Sequence, residues 1–386
     1  MFKVVNGLFF TFVNMKLNSL FFKKLNRDYA TIKSPISEVR YLSEALINKI
    51  NYEISHRHKI SNEGNSVQSR VISSFEFGQG PFRVLIWSQM HGNESTTTKA
   101  IYDLIYYFLS QRFKTSDCAG LFEHLTIKVI PMLNPDGSFE WTRVNANAVD
   151  LNRDAKKQSQ PETQLLMRVI EEFKPDFCFN MHDQRSIFEA KPSYPATLSF
   201  LSASYNAQRE IDSTRLKAMH VINEMQTLLQ EFIPNQVGRY DDAFNENCFG
   251  DYLHANSLPT VLVEAGHSSD DYTREKTRKL CFLSLIKGLS ELINLKLTPE
   301  TSHKYGLIPE NQKNFTDILI KNYKISETQT CDIAIRYKET LCDHSVLIFE
   351  PYIDQIGDLS KYSGHKLINA EKENVCLDVE KFESQA

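Results

Sequence analysis

The chain lacks a charge excess: 44 Lys and Arg face 48 Asp and Glu, mixed along 386 residues, for a net charge of -4. That balance supplies no basic stripe for a phosphate backbone, so no nucleic-acid partner is expected. It also lacks any C-x-x-C pair. Its seven cysteines, at 118, 178, 248, 281, 331, 342 and 376, are odd in number and widely spread. This argues against a disulfide scaffold and for a reducing, cytoplasmic setting. Cys178 and Cys281 lie in apolar runs, where a thiol behaves as a small hydrophobe. Long apolar runs are missing too. The stretch "VVNGLFFTFV" after Lys3 is interrupted by Asn14 and Lys16, short of the ~20 residues that span a bilayer. With no small-residue cleavage site downstream, an ordinary N-terminus is favoured over export, and stable membrane insertion is not expected. Met15 is an alternative start. No internal repeat or low-complexity tract occurs.

What remains is ordinary globular composition, 41% hydrophobic and 24% charged, in a length that suits one large domain with an appendage or two domains. "ISEVRYLSEALINKI" has apolar residues at helical spacing from Pro35 to about Asn51, with Ser34 as its cap. "VQSRVISSFEF" (67–77) alternates like a strand, and Gly78–Gly80–Pro81 turn the chain into "FRVLIWS". Helices are expected over 94–112, 161–173, 205–232 and 272–295, and buried strands over 125–133, 175–182 and 258–266. Strands alternating with helices indicate an α/β sheet flanked by helices. After Leu297 the runs "TCDIAIRY", "SVLIFEPY" and "HKLIN" are short and strand-like. The expected organisation is an N-terminal extension (1–34), a main domain (35–297) and a small β-rich C-terminal appendage (298–386).

In open α/β sheets, sites form at the carboxyl ends of strands. Three expected strands end in residues that bind metals or move protons: "FRVLIWS" leads to His91 and Glu94, "PDFCFNM" to His182, and "LPTVLV" to Glu264. His91 and Glu94 alone do not distinguish a metal pair from a helix start, with Asn93 as cap and Glu94 in the first turn. Two His and one Glu with an open fourth position form the ligand set of a catalytic zinc, and a further carboxylate, Glu264, suits the proton transfer such a site needs. Between them, "NPDG" (134–137) is turn chemistry, and "RVNANAVDLNRD" brings Arg143, Asn152 and Arg153 into a loop of little apolar content. Guanidinium forks suit carboxylates, so a substrate with a free carboxyl group is one reading; solvated surface arginines are the other.

"HGNE", "NPDG", "RVNANAVDLNR", strand-end "NMH" and strand-end "VE", in this order, resemble the zinc metallocarboxypeptidase family, especially its N/E-type branch; the resemblance spans roughly residues 60–295. It implies a mixed, twisted sheet of about eight strands between helices, and one zinc per chain held by His91, Glu94 and His182. It further implies that Arg143 polarises the scissile carbonyl, that Asn152 and Arg153 grip the substrate's terminal carboxylate, and that Glu264 is general base and acid. The implied reaction is hydrolysis of a C-terminal peptide bond by zinc-activated water, on a peptide or another small carboxylate-bearing substrate. The chain departs from the pattern in three places. His182 follows Glu94 by only 88 positions, "HDQ" (182–184) replaces the usual substrate-contact segment, and the family's mobile tyrosine has no plain counterpart. Tyr240 is the best candidate for it; Tyr252 lies too close to Glu264. The acidic residues of "NMHDQ" and "HSSDD" are read as orienting ligands. A deacylase of N-acyl amino acids (aspartoacylase or succinylglutamate desuccinylase type) shares "HGNE" and "DLNR". Against it stand "NPDG" and the nine-residue step from Arg143 to Asn152. A murein-peptide amidase would use the same site, and a non-catalytic binding module would have lost a ligand or the base, none of which is missing.

Overall fold

Along "FRVLIWS" the side chains alternate between two hydrophobic cores. Val84 and Ile86 enter one, Leu85 and Trp87 the other, and all four are fully buried. A strand apolar on both faces needs helices on both sides, and the rest of the first core domain is arranged accordingly. The computed structural model describes residues 17–373; the apolar stretch 4–13 and Met15 lie outside them. The strands are β1 (Ile60–Asn65), β2 (Val71–Phe77), β3 (Phe82–Ser88), β4 (Leu125–Ile130), β5 (Phe177–Asp183), β6 (Glu189–Lys191), β7 (Tyr194–Pro195), β8 (Leu198–Ser202), β9 (Val237–Arg239) and β10 (Thr260–Ala265). Eight of them form one mixed sheet in the order β1-β2-β4-β3-β5-β10-β8-β9, while β6 and β7 pair as a separate hairpin. The centre, β4-β3-β5-β10, is parallel; β1, β2 and β8 join antiparallel.

Helices Thr96–Leu109, Ser213–Leu229 and Glu275–Ile293 cover one face, packing with Phe177, Phe179, Val261 and Val263. Pro161–Phe173 and Phe249–Ala255 cover the other, with Leu85, Trp87 and Cys178. Residues 17–34 join the first core through Phe22, Leu25, Tyr29 and Ile32. Among the described residues no helix is long and apolar enough to cross a membrane.

Several expected elements shift. The helix expected from Pro35 begins only at Glu44, capped by Ser43, whose hydroxyl accepts from Leu46 N. Ser34 is drawn instead into a buried polar cluster, where its backbone N–H and hydroxyl both donate to Asp103. The 205–232 helix spans Ser213–Leu229, and the short strands β8 and β9 flank it. "NPDG" opens a short helix, Pro135–Glu140, because the Asn134 side chain accepts from Gly137 N.

Past residue 298 the helix Thr301–Gly306 packs on Ser213–Leu229. Four more strands follow: β11 (Phe315–Lys324), β12 (Thr330–Cys342), β13 (Val346–Gly357) and β14 (Ser363–Asn369). They form a second sheet in the order β13-β12-β11-β14, with β11 and β14 parallel. Glu339 of β12 ties it to the first body, accepting from Arg40 Nη1 at 2.9 Å and Trp141 Nε1 at 3.1 Å.

The deepest ion pair joins distant segments. Arg278 donates from Nη2 and Nε to the two oxygens of Asp103 at 2.7 and 2.8 Å, with both side chains wholly buried. Removing one partner of such a pair strands the other's charge in the core. Asp103→Ala is therefore expected to cost about 3–5 kcal/mol of unfolding free energy in urea denaturation; a loss below about 1 kcal/mol, the scale of an exposed pair, would refute this reading.

Candidate metal centre

Parallel pairing of β5 with β10 sets His182 directly beside Glu264, and Asp183 beside Ala265. The remaining residues arrive from the turn after β3. There Gln89 adopts a left-handed backbone (φ 51°), and its side-chain amide donates to Gly92 O at 2.7 Å and Ser138 Oγ at 2.8 Å. Gly92 lies so close to the backbone of Gly137 that any Cβ would collide with it, which explains the glycine between His91 and Glu94. The helix after this turn starts at Thr96, later than expected. Its N-cap Ser95 makes no side-chain capping bond, so neither Asn93 as cap nor Glu94 as first-turn residue holds. Asp183 does the capping from β5 instead, accepting from Thr96 N at 2.8 Å and Thr97 N at 3.1 Å. Glu94 is thereby left outside the helix, facing His182.

His91, Glu94 and His182 converge. His91 Nδ1 stands 2.8 Å from Glu94 Oε1, His182 Nδ1 stands 2.9 Å from Glu94 Oε2, and the two Nδ1 atoms are 3.1 Å apart. All three residues are buried. On its far side His91 Nε2 meets Asp150 Oδ1 at 3.0 Å. A proton on Nε2 satisfies that carboxylate and leaves the Nδ1 lone pair pointing inward, the usual arrangement for an imidazole ligand. Tetrahedral zinc with bonds of 2.0–2.1 Å needs donor atoms about 3.3 Å apart, close to these separations. The donor set, two nitrogens and a carboxylate, also fits zinc. Burial pushes the Glu94 carboxyl up, but the two imidazoles outweigh it and hold it well below the usual carboxylate range. Burial, then the neighbouring carboxylates of Glu94 and Asp183, push Glu264 well above that range.

The other expected site residues meet around one cavity of about 930 Å³, whose walls include His91, Glu94, Arg143, Asn152, Arg153, Tyr240 and Glu264. Arg143 donates from Nε to Asp150 Oδ2 at 3.0 Å and from Nη1 to Glu94 Oε1 at 3.3 Å. Asn152 Oδ1 accepts from Phe249 N, which fixes its side chain. The Arg153 Nη1 donates to Asn152 O at 2.8 Å and Cys248 Sγ at 3.1 Å, and among the described residues it makes no ion pair, although its charge is felt by Asp150 and Asp251. Tyr240 packs edge-on against Phe188 at 5.2 Å. Its phenol is pushed far up by burial and by the charges of Glu264 and Glu94.

Residue-by-residue reading of the sequence missed Asp150, whose signal was local: it stands two residues before Asn152. Asp183, read as orienting the ligands, caps the helix at Thr96 with its side chain and gives its backbone N–H to Glu94 Oε2 at 3.1 Å. The sequence left open whether the C-terminal segment borders the site or only stabilises the core; the second sheet contributes a wall, with Arg336, Tyr337, Lys338, Glu339, Phe349 and Tyr352 lining the cavity. Because Asp150 orients His91, Asp150→Asn is expected to weaken zinc binding about 10–100-fold, measured by chelator competition; unchanged affinity would contradict that role.

Residues 43–154 match the sequence model of the zinc carboxypeptidase family. That segment contains His91, Glu94, Arg143, Asn152 and Arg153 and stops short of His182 and Glu264. A probable carboxypeptidase 2 of Arthroderma benhamiae is 29% identical over 103 residues, 26% of this chain and 19% of that protein. Carboxypeptidase M of Mus musculus is 33% identical over 138 residues, 30% of each. The chain thus aligns with less than a third of the length of either relative. Among solved structures, a metallo-carboxypeptidase from Burkholderia cenocepacia superposes with a TM-score of 0.54 at 16% identity, covering 67% of this chain and 71% of that one. Carboxypeptidase A from Helicoverpa armigera gives 0.53 at 16% identity, over 72% and 80%. The family match is thus confined to residues 43–154, and over most of the chain the solved structures share the fold.

Proposed function

We propose that this chain is a zinc-dependent metallocarboxypeptidase that removes the C-terminal residue of a peptide, with one zinc held by His91, Glu94 and His182. The observation that carries the reading is the register of β5 and β10. It sets Glu264 beside a buried cluster of two inward-facing imidazole nitrogens and a carboxylate, in a cavity that also holds Arg143, Asn152 and Arg153. Zinc bound there polarises a carbonyl and makes water acidic enough to yield a nucleophile near neutral pH. The chain's own groups do the rest. Arg153, which makes no ion pair among the described residues, and the fixed amide of Asn152 take the substrate's terminal carboxylate. Arg143 offsets the negative charge that grows on the scissile carbonyl oxygen. Glu264 accepts a proton as water adds to that carbon, then returns it to the departing amine as the C–N bond breaks. A carboxyl whose pKa is raised by its surroundings suits the second, acid half of that task. All six described cysteines are free thiols, which supports a cytoplasmic setting.

Glu264→Gln keeps the side chain's size and removes its proton chemistry. It is expected to lower kcat/KM on peptides about 10²–10⁴-fold while zinc content stays at the wild-type level. Amino-acid release from a peptide panel and metal analysis read the two quantities. Full activity in the variant would overturn the assignment of Glu264, and a wild-type enzyme that cleaves only N-acyl amino acids would overturn the peptidase reading in favour of a deacylase.

A further inference from the structure

Three side chains from separate segments gather where the second sheet meets the first: His267, just after β10, Asp317 on β11 and His365 on β14. Their donor atoms lie within 4.8 Å of one another. His365 Nε2 stands 3.1 Å from the carbonyl of Ser186 and donates its proton there, because a carbonyl can only accept. The tautomer is thereby fixed, and the lone pair sits on Nδ1, which is buried and has no hydrogen-bond partner. His267 is only 3% exposed, and its Nε2 is likewise buried and without a partner. Two orphaned imidazole nitrogens in one interior pocket are uncommon, since buried polar atoms are almost always satisfied. Asp317, 2% exposed, accepts from Tyr272 Oη at 3.1 Å and from Tyr337 N at 3.0 Å. Those bonds hold the carboxylate in place, and its oxygens retain capacity for a further partner.

We propose that His267, Asp317 and His365 form a second divalent-metal site, suited to zinc, that clamps the C-terminal sheet to the loop behind Glu264. Two neutral imidazoles and one carboxylate are a zinc donor set, and a ring N–H given to a backbone carbonyl is the usual orientation of a ligating histidine. The Arg274 charge, which would oppose a cation, is drawn aside by the carbonyl of Ala265 at 2.8 Å and by Asp183 at 3.9 Å. His267 and Asp317 border the main cavity, which gives an ion a way in. The site is distinct from the His91, Glu94 and His182 cluster and does not depend on peptidase activity.

The test uses the full chain, stripped of metal, reloaded with Zn²⁺ alone and passed through gel filtration before metal analysis. Two zinc per chain are expected in the wild type and one in each of His365→Ala, Asp317→Asn and His91→Ala. Far-UV circular dichroism of the metal-free proteins checks that each variant is folded. His365→Gln, which keeps much of the side chain's bulk, is the second variant if alanine fails to fold. Co²⁺ loading supplies an independent readout: the visible absorption per chain should fall by about half in His365→Gln. One zinc in the wild type that is lost in His91→Ala and kept in His365→Ala would overturn this proposal and leave the first site standing. One zinc lost in His365→Ala and kept in His91→Ala would uphold it and remove the first site. Two zinc retained in His365→Ala and Asp317→Asn would refute it.

Discussion

Two imidazole nitrogens held 3.1 Å apart, each against an oxygen of the same carboxylate, set the terms for everything around them. With Asp150 on the far side of His91, the Nδ1 lone pair of that ring faces Glu94 and His182, an arrangement that a bound cation satisfies. The fold converges on holding it. Gly92 exists because the turn carrying His91 and Glu94 presses on Gly137, and Asp183 starts the next helix from the strand that carries His182. Asp150 serves His91 with one oxygen and Arg143 with the other. Few of these residues act alone, so the site is rigid by shared connections.

The same economy explains how much was legible in the sequence. Buried parallel strands are apolar on both faces and end abruptly in polar residues, so "FRVLIWS", "PDFCFNM" and "LPTVLV" declared both themselves and the site at their ends. His91, Glu94, His182, Glu264, Arg143, Asn152, Arg153 and Tyr240 meet around one centre. Less legible were boundaries decided by distant partners. Asn93 is a sound cap by local chemistry, but a carboxylate 87 residues away satisfies the helix instead. Ser34 reads as a helix start because nothing nearby reveals that Asp103 claims it. Strand β8 and the edge strand β9 are short, and strand β11, with its mixed polarity, gave no clean alternation.

The second sheet is the larger surprise. Read as an appendage, it lines the cavity with Tyr337, Phe349 and Tyr352, and reaches back through Glu339 to Arg40 and Trp141. Its bond from His365 to Ser186 touches the loop that follows the last metal-site strand. The cavity wall and the loop after β5 are thus tied to a region outside the matched family segment.

The central claim is that Arg153 and Asn152 present a docking point for a free carboxylate next to a zinc-dependent hydrolytic centre. Paired peptides that differ only in a free C-terminal acid or a C-terminal amide test it most directly. Release of the last residue should be confined to the free acid, with the amide slower by at least about 100-fold, because the guanidinium then faces no charge to pair. Equal cleavage of the two, or cleavage at internal bonds, would contradict the account.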